Sequence, residues 1–368
     1  TGGHHTSALA VIDELNKKGQ HQYLWFGHRH SVWGDKSDSA EYKDVTNYGI
    51  DFVDLKAGKL YKTFNPRKLI RIPRGFFDAL RHLISFKPDA VLSFGGYLAA
   101  PTALAAWLLS IPVYTHEQTS QAGWSNRFIS RLSKKVFITW PVSAKFFPKS
   151  KVIVSGLPLR KELLSIATNS QLKAKNSKLS TINYPPPTIY ITGGKQGSHV
   201  MNKAVYKALP RLLESFQVLH QCGGVSFNDD KKNLQAAVAH FPKRIKERYV
   251  VDDYFVSEVV ADIFRKCDFV VTRGGAHTIY ELAFLGKPAI VIPIPWVSHE
   301  EQLMNAKILE RAGSAIILAE AQLTAESLLV ACENMKVDLV EYKKKAIAFS
   351  RTIKSNAASV IANELLSQ

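Results

Sequence analysis

Short apolar runs alternate along this chain with longer segments in which apolar residues recur every three or four positions. The first pattern predicts buried strands and the second predicts helices with one apolar face. Such an alternation is typical of parallel sheets whose strands are joined by right-handed helical crossovers. The predicted strands are 23–26, 89–94, 112–115, 135–138, 188–192, 218–221, 269–272 and 289–293. The predicted helices are 8–18, 99–109, 199–215, 278–285 and 301–312, with one or two more in 339–366.

A change of composition at residues 165–187 separates two similar halves. This stretch is rich in Lys, Asn, Ser and Thr and ends in three prolines, which is typical of an exposed loop or linker. Each half has glycines directly ahead of its first helix, at Gly2-Gly3 and at Gly193-Gly194. Two Rossmann-like domains facing a cleft are therefore predicted. A strand should precede the first glycine turn in such a domain, so we expect that first strand to be missing before Thr1.

Length and composition exclude several classes of protein. The 368 residues are 46% hydrophobic, which suits two folded domains and excludes a disordered chain. Three cysteines do not build a disulfide framework, so a reducing compartment is expected. The sequence contains no run of 18 uncharged apolar residues, so no membrane-spanning helix is predicted. The 48 Lys and Arg against 31 Asp and Glu leave a net charge of +17, which suits an anionic partner or simply solubility.

Almost half of that charge lies in residues 56–87, where nine basic side chains accompany one acid, Asp78. From Phe76 onward the apolar residues recur at helical spacing. Basic and bulky apolar side chains together suit an anionic membrane surface, at about 1 kcal/mol per basic residue near the headgroups. A surface helix packed on its own sheet would show the same pattern. Nucleic acid is not expected as a partner, because no nucleic-acid-binding module accompanies the stretch. The basic residues are Lys56, Lys59, Lys62, Arg67, Lys68, Arg71, Arg74, Arg81 and Lys87.

The turn at residues 193–198, Gly-Gly-Lys-Gln-Gly-Ser, is the strongest candidate for an anion site. Backbone N–H groups at the start of a helix attract anions, and Lys195 adds a full positive charge. A tight turn without a ligand remains the alternative. The turn matches neither the Walker A pattern nor the Gly-x-Gly-x-x-Gly spacing, which disfavours a P-loop hydrolase and a dehydrogenase.

Polar side chains of the second half also suggest ligand contacts. Glu281 follows the glycine turn 273–278, and it either caps its helix or accepts hydrogen bonds from ribose hydroxyls. Gln302 and Asn305 share one helix face, where their amides suit sugar hydroxyls or solvent equally well.

In the first half, His4 at the start of a helix is a candidate general base. Residues 116–118, His-Glu-Gln, follow a strand at the edge of the sheet where ligands of such folds bind, although they could instead bond neighbouring turns. No His-Glu-x-x-His or Cys-x-x-Cys pattern occurs, so no metal site is expected.

In this order, the segments resemble the MurG family, the UDP-N-acetylglucosamine:lipid I N-acetylglucosaminyltransferases of bacterial peptidoglycan synthesis. The resemblance covers nearly the whole chain. The motifs that carry it are Thr1-Gly2-Gly3-His4, Phe94-Gly95-Gly96-Tyr97, His116-Glu117-Gln118, Gly156-Leu157-Pro158-Leu159-Arg160, Gly193-Gly194-Lys195-Gln196-Gly197, Arg273-Gly274-Gly275-Ala276-His277-Thr278 with Glu281, and Gln302 with Asn305.

The resemblance implies a GT-B fold of two Rossmann-like domains with parallel sheets facing a central cleft. Residues 1–157 would bind lipid I and the membrane, 158–345 would bind UDP-GlcNAc, and 346–368 would pack back on the first domain. The implied reaction is inverting transfer of GlcNAc to the MurNAc 4-hydroxyl of lipid I, which makes lipid II. No cofactor or obligatory metal is implied. The implied location is peripheral, at the cytoplasmic face of the bacterial inner membrane.

The resemblance also implies roles for individual residues. His4 matches the proposed general base, and Glu117 is grouped with it as catalytic. The implied donor-binding residues are Arg160, Gly194, Lys195, Gln196, Gly197, Phe255, Val256, Gly275, Ala276, Thr278, Glu281, Gln302 and Asn305. The implied acceptor-binding residues are Gly2, Gly3, Tyr97, His116 and Asn126.

The chain departs from the family pattern at six positions, which leaves the acceptor and the sugar open. A UDP-GlcNAc 2-epimerase, a transferase acting on another lipid, and a non-catalytic sugar-nucleotide or membrane-binding protein remain alternatives. The departures are Ser7, Thr119, Lys195, Gly274, His277 and Glu301.

Overall fold

A computed structural model describes residues 4–30, 38–55, 71–166, 186–224, 229–297 and 300–367. The chain forms two compact units, Thr1–Arg160 together with Lys354–Gln368, and Lys161–Ile353. Each is built of parallel strands and helices. Most of the predicted linker, the glycines Gly2 and Gly3, and the basic residues from Lys56 to Lys68 lie outside the described residues.

The strands of the described residues are short and mostly buried. They are β1 (Leu24–Gly27), β2 (Asp51–Asp54), β3 (Val91–Ser93), β4 (Val113–Glu117), β5 (Lys135–Ile138), β6 (Val152–Val154), β7 (Thr188–Thr192), β8 (Gln217–Gln221), β9 (Tyr249–Asp252), β10 (Phe269–Thr272), β11 (Ala289–Val291) and β12 (Ala315–Ile317).

Helices connect nearly all of these strands. They are α1 (His4–Asn16), α2 (Ala40–Asn47), α3 (Arg71–Phe86), α4 (Ala99–Leu108), α5 (Trp124–Leu132), α6 (161–166), α7 (His199–Ser215), α8 (Asp230–Ala237), α9 (Lys243–Lys246), α10 (Ser257–Lys266), α11 (Ala276–Leu285), α12 (Glu301–Arg311), α13 (Ala325–Val337), α14 (Leu339–Ser350) and α15 (Ala357–Leu366). None of the described helices is long and apolar enough to cross a bilayer.

The first unit holds two parallel sheets, β1-β2 and β3-β4-β5-β6. Helix α1 packs with α15 through Val11 and Ile361, over the buried rings of Tyr114 and Phe137. The other face of α1 packs beside β1 and β2. A cavity of about 610 Å³ is lined by α1, β1, β3 and the end of α3. Among the described residues, β1 pairs only with β2 and β3 pairs only with β4.

The second unit is a single six-stranded parallel sheet in the order β12-β11-β10-β7-β8-β9. The chain starts in the middle at β7, extends to β9 on one side, and returns to build β10 to β12 on the other. This is the doubly wound order, and its switch point lies between β7 and β10. Strands β7 and β10 are buried along nearly their whole length, as expected for a sheet covered on both faces. Ligands of such sheets bind beyond the carboxyl ends of the strands at the switch point.

The predicted end of the second domain at residue 345 differs from the structure, which places the boundary after Ile353. The reason is that α14 packs entirely on the second unit. Its Ile347 lies against Gly286, where an added Cβ would be 3.3 Å from the Ile347 Cα. Lys343, also on α14, forms an ion pair with Asp268. The last helix, α15, belongs to the first unit, as predicted.

Candidate active site

His4 is the first residue of α1, and its side chain is half buried. Its Nδ1 lies 2.7 Å from the carbonyl oxygen of Phe94. Because a carbonyl can only accept, Nδ1 carries the hydrogen and Nε2 carries the basic lone pair. Burial lowers the pKa of His4 below its ordinary value, against the opposing effect of the Phe94 hydrogen bond. The imidazole is therefore neutral at neutral pH and has one basic nitrogen in a fixed orientation.

His116, predicted to bind the acceptor, is completely buried in β4. Its Nε2 donates to the carbonyl oxygen of Gly156 at 2.9 Å, and its ring is tilted against Phe94 with centroids 5.6 Å apart. Burial lowers the pKa of His116 to about 4. The side chain is therefore neutral and points into its own domain, so it supports the neighbourhood of His4 and does not present a charge to a ligand.

Glu117 and Asn126 form a buried network, with 4% and 5% of their surfaces exposed. One oxygen of Glu117 accepts from the Thr119 backbone N–H at 3.0 Å and from the Thr119 hydroxyl at 2.8 Å. The other accepts from the Asn126 amide at 2.9 Å. Burial raises the pKa of Glu117, while these hydrogen bonds oppose the rise. Both residues were predicted to act directly on substrate. Both side chains are bonded inside the first unit and hold the loop after β4, and their roles towards substrate stay predictions.

Thr119 is one of the six departures from the family pattern, and the same network explains how it fits. Its hydroxyl donates to Glu117 and also contacts the carbonyl oxygen of Gln121. The threonine therefore stabilises the loop between β4 and α5 in this chain.

Tyr97 is half buried and follows Gly95 and Gly96, which both have positive φ. Its hydroxyl is hydrogen-bonded to Nε2 of His28, and Nδ1 of His28 lies 3.6 Å from an Asp54 carboxylate oxygen. Burial raises the pKa of Tyr97, so it remains a neutral phenol. His28 was not among the site residues predicted from the sequence. Its position directly after β1 was the available signal, since polar residues at the carboxyl ends of parallel strands share one edge of a sheet.

In the second unit, the turn after β7 leads into α7. Gly194 and Gly197 have φ values of +87° and +77°, and Ser198 caps α7 by accepting from the backbone N–H of Met201 at 3.4 Å. The side chains of Lys195 and Gln196 are exposed. The turn therefore presents backbone N–H groups, a helix N-terminus and a lysine at the switch point, the arrangement that binds phosphate groups.

The turn after β10 lies beside the turn after β7. The buried side chain of Arg273 holds it there. The Arg273 guanidinium contacts the Ser198 hydroxyl at 2.6 Å, the Glu320 carboxylate at 2.5 Å and the carbonyl oxygen of Ile292 at 3.0 Å. Arg273 therefore joins the start of α7 to the turn after β10.

Gln302 and Asn305 on α12 fix the next residue, Gly274. The side-chain oxygen of Gln302 accepts the backbone N–H groups of Gly274 at 3.1 Å and of Ile294 at 3.0 Å. The Asn305 amide donates to the carbonyl oxygen of Gly274 at 3.2 Å, and Asn305 is completely buried. A Cβ on Gly274 would lie 2.2 Å from the Gln302 carbonyl oxygen, which explains why this chain has glycine there. Asn305 therefore supports this turn, and its predicted contact with sugar hydroxyls stays a prediction.

Glu281 does not cap its helix. Helix α11 starts at Ala276 with Gly275 as its N-cap residue, and the N-cap position makes no side-chain bond. Glu281 therefore lies in the second turn and is 7% exposed, and its contact with the ribose stays a prediction. Gly275, Ala276 and Thr278 are half buried at the start of α11.

Two further predicted donor residues precede α10. Phe255 is buried and Val256 is exposed as the N-cap residue of α10. Within the described residues, no group of three or more His, Cys, Asp or Glu side chains is arranged to hold a metal ion.

Family models match both units. Residues 1–138 match the glycosyltransferase family 28 N-terminal domain, and residues 188–364 match the glycosyltransferase family 28 C-terminal domain. The chain is 30% identical over 347 residues to the UDP-N-acetylglucosamine–N-acetylmuramyl-(pentapeptide) pyrophosphoryl-undecaprenol N-acetylglucosamine transferase 2 of Bacillus cereus, covering 93% of this chain and 91% of the relative.

Solved structures of similar fold match nearly the whole chain. Acinetobacter baumannii MurG superposes with a TM-score of 0.73 at 26% identity, over 100% of this chain and 97% of that one. The UDP-GlcNAc 2-epimerase of Neisseria meningitidis shares the fold, with a TM-score of 0.65 at 16% identity over 100% and 98% of the two chains. The predicted GT-B fold and family are confirmed, and the chain belongs to the MurG family within glycosyltransferase family 28.

Proposed function

We propose that the protein transfers GlcNAc from UDP-GlcNAc to the MurNAc 4-hydroxyl of lipid I with inversion, making lipid II. The relatives' names supply the substrates. The observation that carries the chemistry is His4, whose neutral ring has Nδ1 bonded to Phe94 and Nε2 available as a base. In the proposed step, Nε2 takes the proton of the MurNAc 4-hydroxyl. The oxygen of that hydroxyl forms the new bond to the anomeric carbon, and the bond from this carbon to the UDP oxygen breaks.

The second unit would stabilise the leaving UDP. The positive end of α7 and the Lys195 ammonium favour the negative charge that develops on the diphosphate. Backbone N–H groups of the turn at residues 194–198 would add to this effect, except those of Gly194 and Gly197, which donate to the Thr192 hydroxyl and the Gly194 carbonyl oxygen. Arg160 stays a predicted phosphate ligand. Glu281 would accept hydrogen bonds from the ribose, and the backbone at Phe255 and Val256 would meet the uracil. This chemistry proceeds through fixed dipoles and charges, and the absence of a cofactor or obligatory metal stays a prediction.

The direct test measures transfer of labelled GlcNAc from UDP-GlcNAc to a short-chain lipid I analogue. We expect a β-1,4-linked product and UDP. Binding of UDP-GlcNAc is measured in parallel by calorimetry, and an absence of both transfer and binding would contradict the proposal. Conversion of UDP-GlcNAc to its 2-epimer without acceptor would identify an epimerase instead. Binding without either reaction would indicate a non-catalytic sugar-nucleotide protein.

The membrane-bound substrate calls for a membrane-facing surface, and α3 has a suitable face. Its residues Gly75, Ala79 and Leu83 are buried, whereas the exposed residues, which also include Pro73, His82 and Ser85, contain four at helical spacing on the other side. These four residues are Arg74, Phe77, Arg81 and Ile84. Basic and apolar side chains thus alternate along one solvent-facing stripe, which fits an interfacial helix better than a helix that only covers its sheet.

Neighbouring helices also expose apolar and aromatic side chains. Helix α4 packs between α3 and α5, and it exposes Trp107 and Leu108. Helix α5 exposes Trp124 at 70% and Phe128 at 40%. The Arg127 guanidinium lies over the ring of Phe146, 4.3 Å from its centroid. We propose that these side chains of α3, α4 and α5, the aromatic–basic patch, bind the anionic cytoplasmic face of the bacterial inner membrane. Nucleic acid is not expected to bind there.

Flotation with anionic vesicles tests the patch. Arg74→Glu with Arg81→Glu should weaken binding at least about tenfold, because each basic residue contributes about 1 kcal/mol near anionic headgroups. Phe77→Ser with Trp124→Ser should weaken it similarly by removing inserted apolar surface. Val340→Ser and Arg351→Glu, exposed positions on the second unit, are the matched controls. Unchanged flotation of both patch variants would contradict the assignment.

A further inference from the structure

Gln221 is the last residue of β8 and was not among the site residues predicted from the sequence. Its side chain is 4% exposed. The amide nitrogen donates to the carbonyl oxygen of Gly194 at 3.1 Å and to the Thr192 hydroxyl at 3.3 Å. The amide oxygen accepts the backbone N–H of Phe255 at 3.0 Å. Both amide hydrogens and the oxygen are therefore bonded inside the second unit.

These partners belong to two different segments. Gly194 is one of two positive-φ glycines in the turn that leads into α7. Phe255 and Val256 lead into α10. Thr192, at the end of β7, also accepts the Gly194 backbone N–H at 3.1 Å. The Gln221 amide therefore holds the Gly194 carbonyl directly and the Gly194 N–H through the Thr192 hydroxyl. One side chain thus joins the turn proposed to hold the diphosphate to the segment proposed to meet the uracil.

Only a primary amide can make this set of bonds. A carboxylate in the same place would accept from Phe255 and could accept from the Thr192 hydroxyl, but it would face the Gly194 carbonyl oxygen without a hydrogen to donate. A thioether of similar length would leave the buried Phe255 N–H and Gly194 carbonyl without their partner. The hydrogen bonds at this position therefore require glutamine. A side chain of the same volume without an amide would not replace it.

We propose that Gln221 is a positioning residue for the donor nucleotide, which sets the spacing between the diphosphate-binding turn and the uracil-binding segment. This inference rests on the proposed function of the second unit. Gln221 touches neither the reacting atoms nor the ligand, and it acts through the backbone of Gly194 and Phe255.

The test compares Gln221→Met and Gln221→Glu with Gln217→Met. Gln217 is a matched control because it is a glutamine at the other end of the same strand, half buried and away from the carboxyl edge. We expect KM for UDP-GlcNAc and the Kd of UDP to rise about 10- to 100-fold in the Gln221 variants, the scale of effect that misplaced binding groups produce. The KM for the lipid acceptor should stay within about twofold, and the control should resemble the wild type.

Hydrogen exchange supplies a readout that needs no ligand. In Gln221→Met, the backbone N–H groups of Gly194 and Phe255 should lose protection together, while β10 keeps its protection. Wild-type UDP affinity in both Gln221 variants would overturn the inference and leave the proposed function intact. A loss confined to kcat, with unchanged KM and Kd, would also overturn it, since reduced folding yield produces that result. A wild-type protein that does not bind UDP would overturn both proposals.

Discussion

Replacing His4 with Asn should lower kcat for GlcNAc transfer by about 10²–10⁴-fold, the range that a positioned general base contributes. The asparagine amide can take the place of Nδ1 and still donate to the Phe94 carbonyl oxygen, so the start of α1 keeps its bond. What disappears is Nε2, the atom proposed to accept the proton. The Kd of UDP should be unchanged, because the turn before α7 lies in the other unit.

Single-turnover transfer and UDP calorimetry measure the two quantities separately. His240→Asn, at an exposed histidine of the second unit, is the control and should keep wild-type activity. A kcat within about threefold of wild type for His4→Asn would contradict the base role.

The pH profile gives the same hypothesis a second test. The base works in its neutral form, and burial holds the pKa of His4 below the ordinary value of about 6.5. Activity should therefore persist as the pH falls past 6.5 and decline only at lower pH, as the imidazole gains its proton. This acidic limb should be absent from the residual activity of His4→Asn.

Replacing Gly197 with Ala should destabilise the second unit by about 3–5 kcal/mol and abolish UDP binding, through overpacking combined with positive-φ strain. An added Cβ would lie 1.9 Å from the carbonyl oxygen of Cys222 and 2.7 Å from the Gly223 Cα. The opposing loop is held by backbone bonds, from Cys222 to Asp252 at 2.9 Å and from Gly223 to Asp253 at 3.0 Å. It therefore cannot yield without breaking the end of the sheet.

Gly194→Ala separates the two causes. Gly194 has φ +87° but no atom within 4 Å of an added Cβ, so only about 1–2 kcal/mol of backbone strain is expected. The measurement is the unfolding transition of the second unit, followed by calorimetry and by hydrogen exchange of residues 188–224. Equal destabilisation by the two substitutions would show that the close approach of the Gly197 and Gly223 loops does not matter.

Many elements could be predicted from the sequence. Strands β5, β7 and β10 and helix α7 have the predicted bounds, because the strands are continuous buried apolar runs and the helix has one clear period. The pattern did not reveal β2, β6, β9 and β12. These strands are as short as β5 and β10 but are only partly buried, so no continuous buried apolar run distinguishes them from loops. Their conformation comes from pairing with a distant neighbour.

The candidate site was predicted in part. The glycine turns and His4 are visible in sequence because their backbone geometry or ring chemistry is local. Asn126 and Asn305, by contrast, were assigned to ligands and are buried supports. A polar side chain beside a strand end looks the same in sequence whether it faces a ligand or a loop of its own domain.

The amino-acid sequence by itself determined the alternation of strands and helices, the two glycine turns and the concentration of positive charge before and along α3. These depend on hydrophobic period, on the conformational freedom of glycine and on composition, which are properties of neighbouring residues. Only the tertiary structure decided which polar groups bond one another, such as Gln221 with Gly194 and Phe255, or Tyr97 with His28. Those pairs are separated by 27 to 69 residues, and their contact depends on the order of strands in the finished sheets.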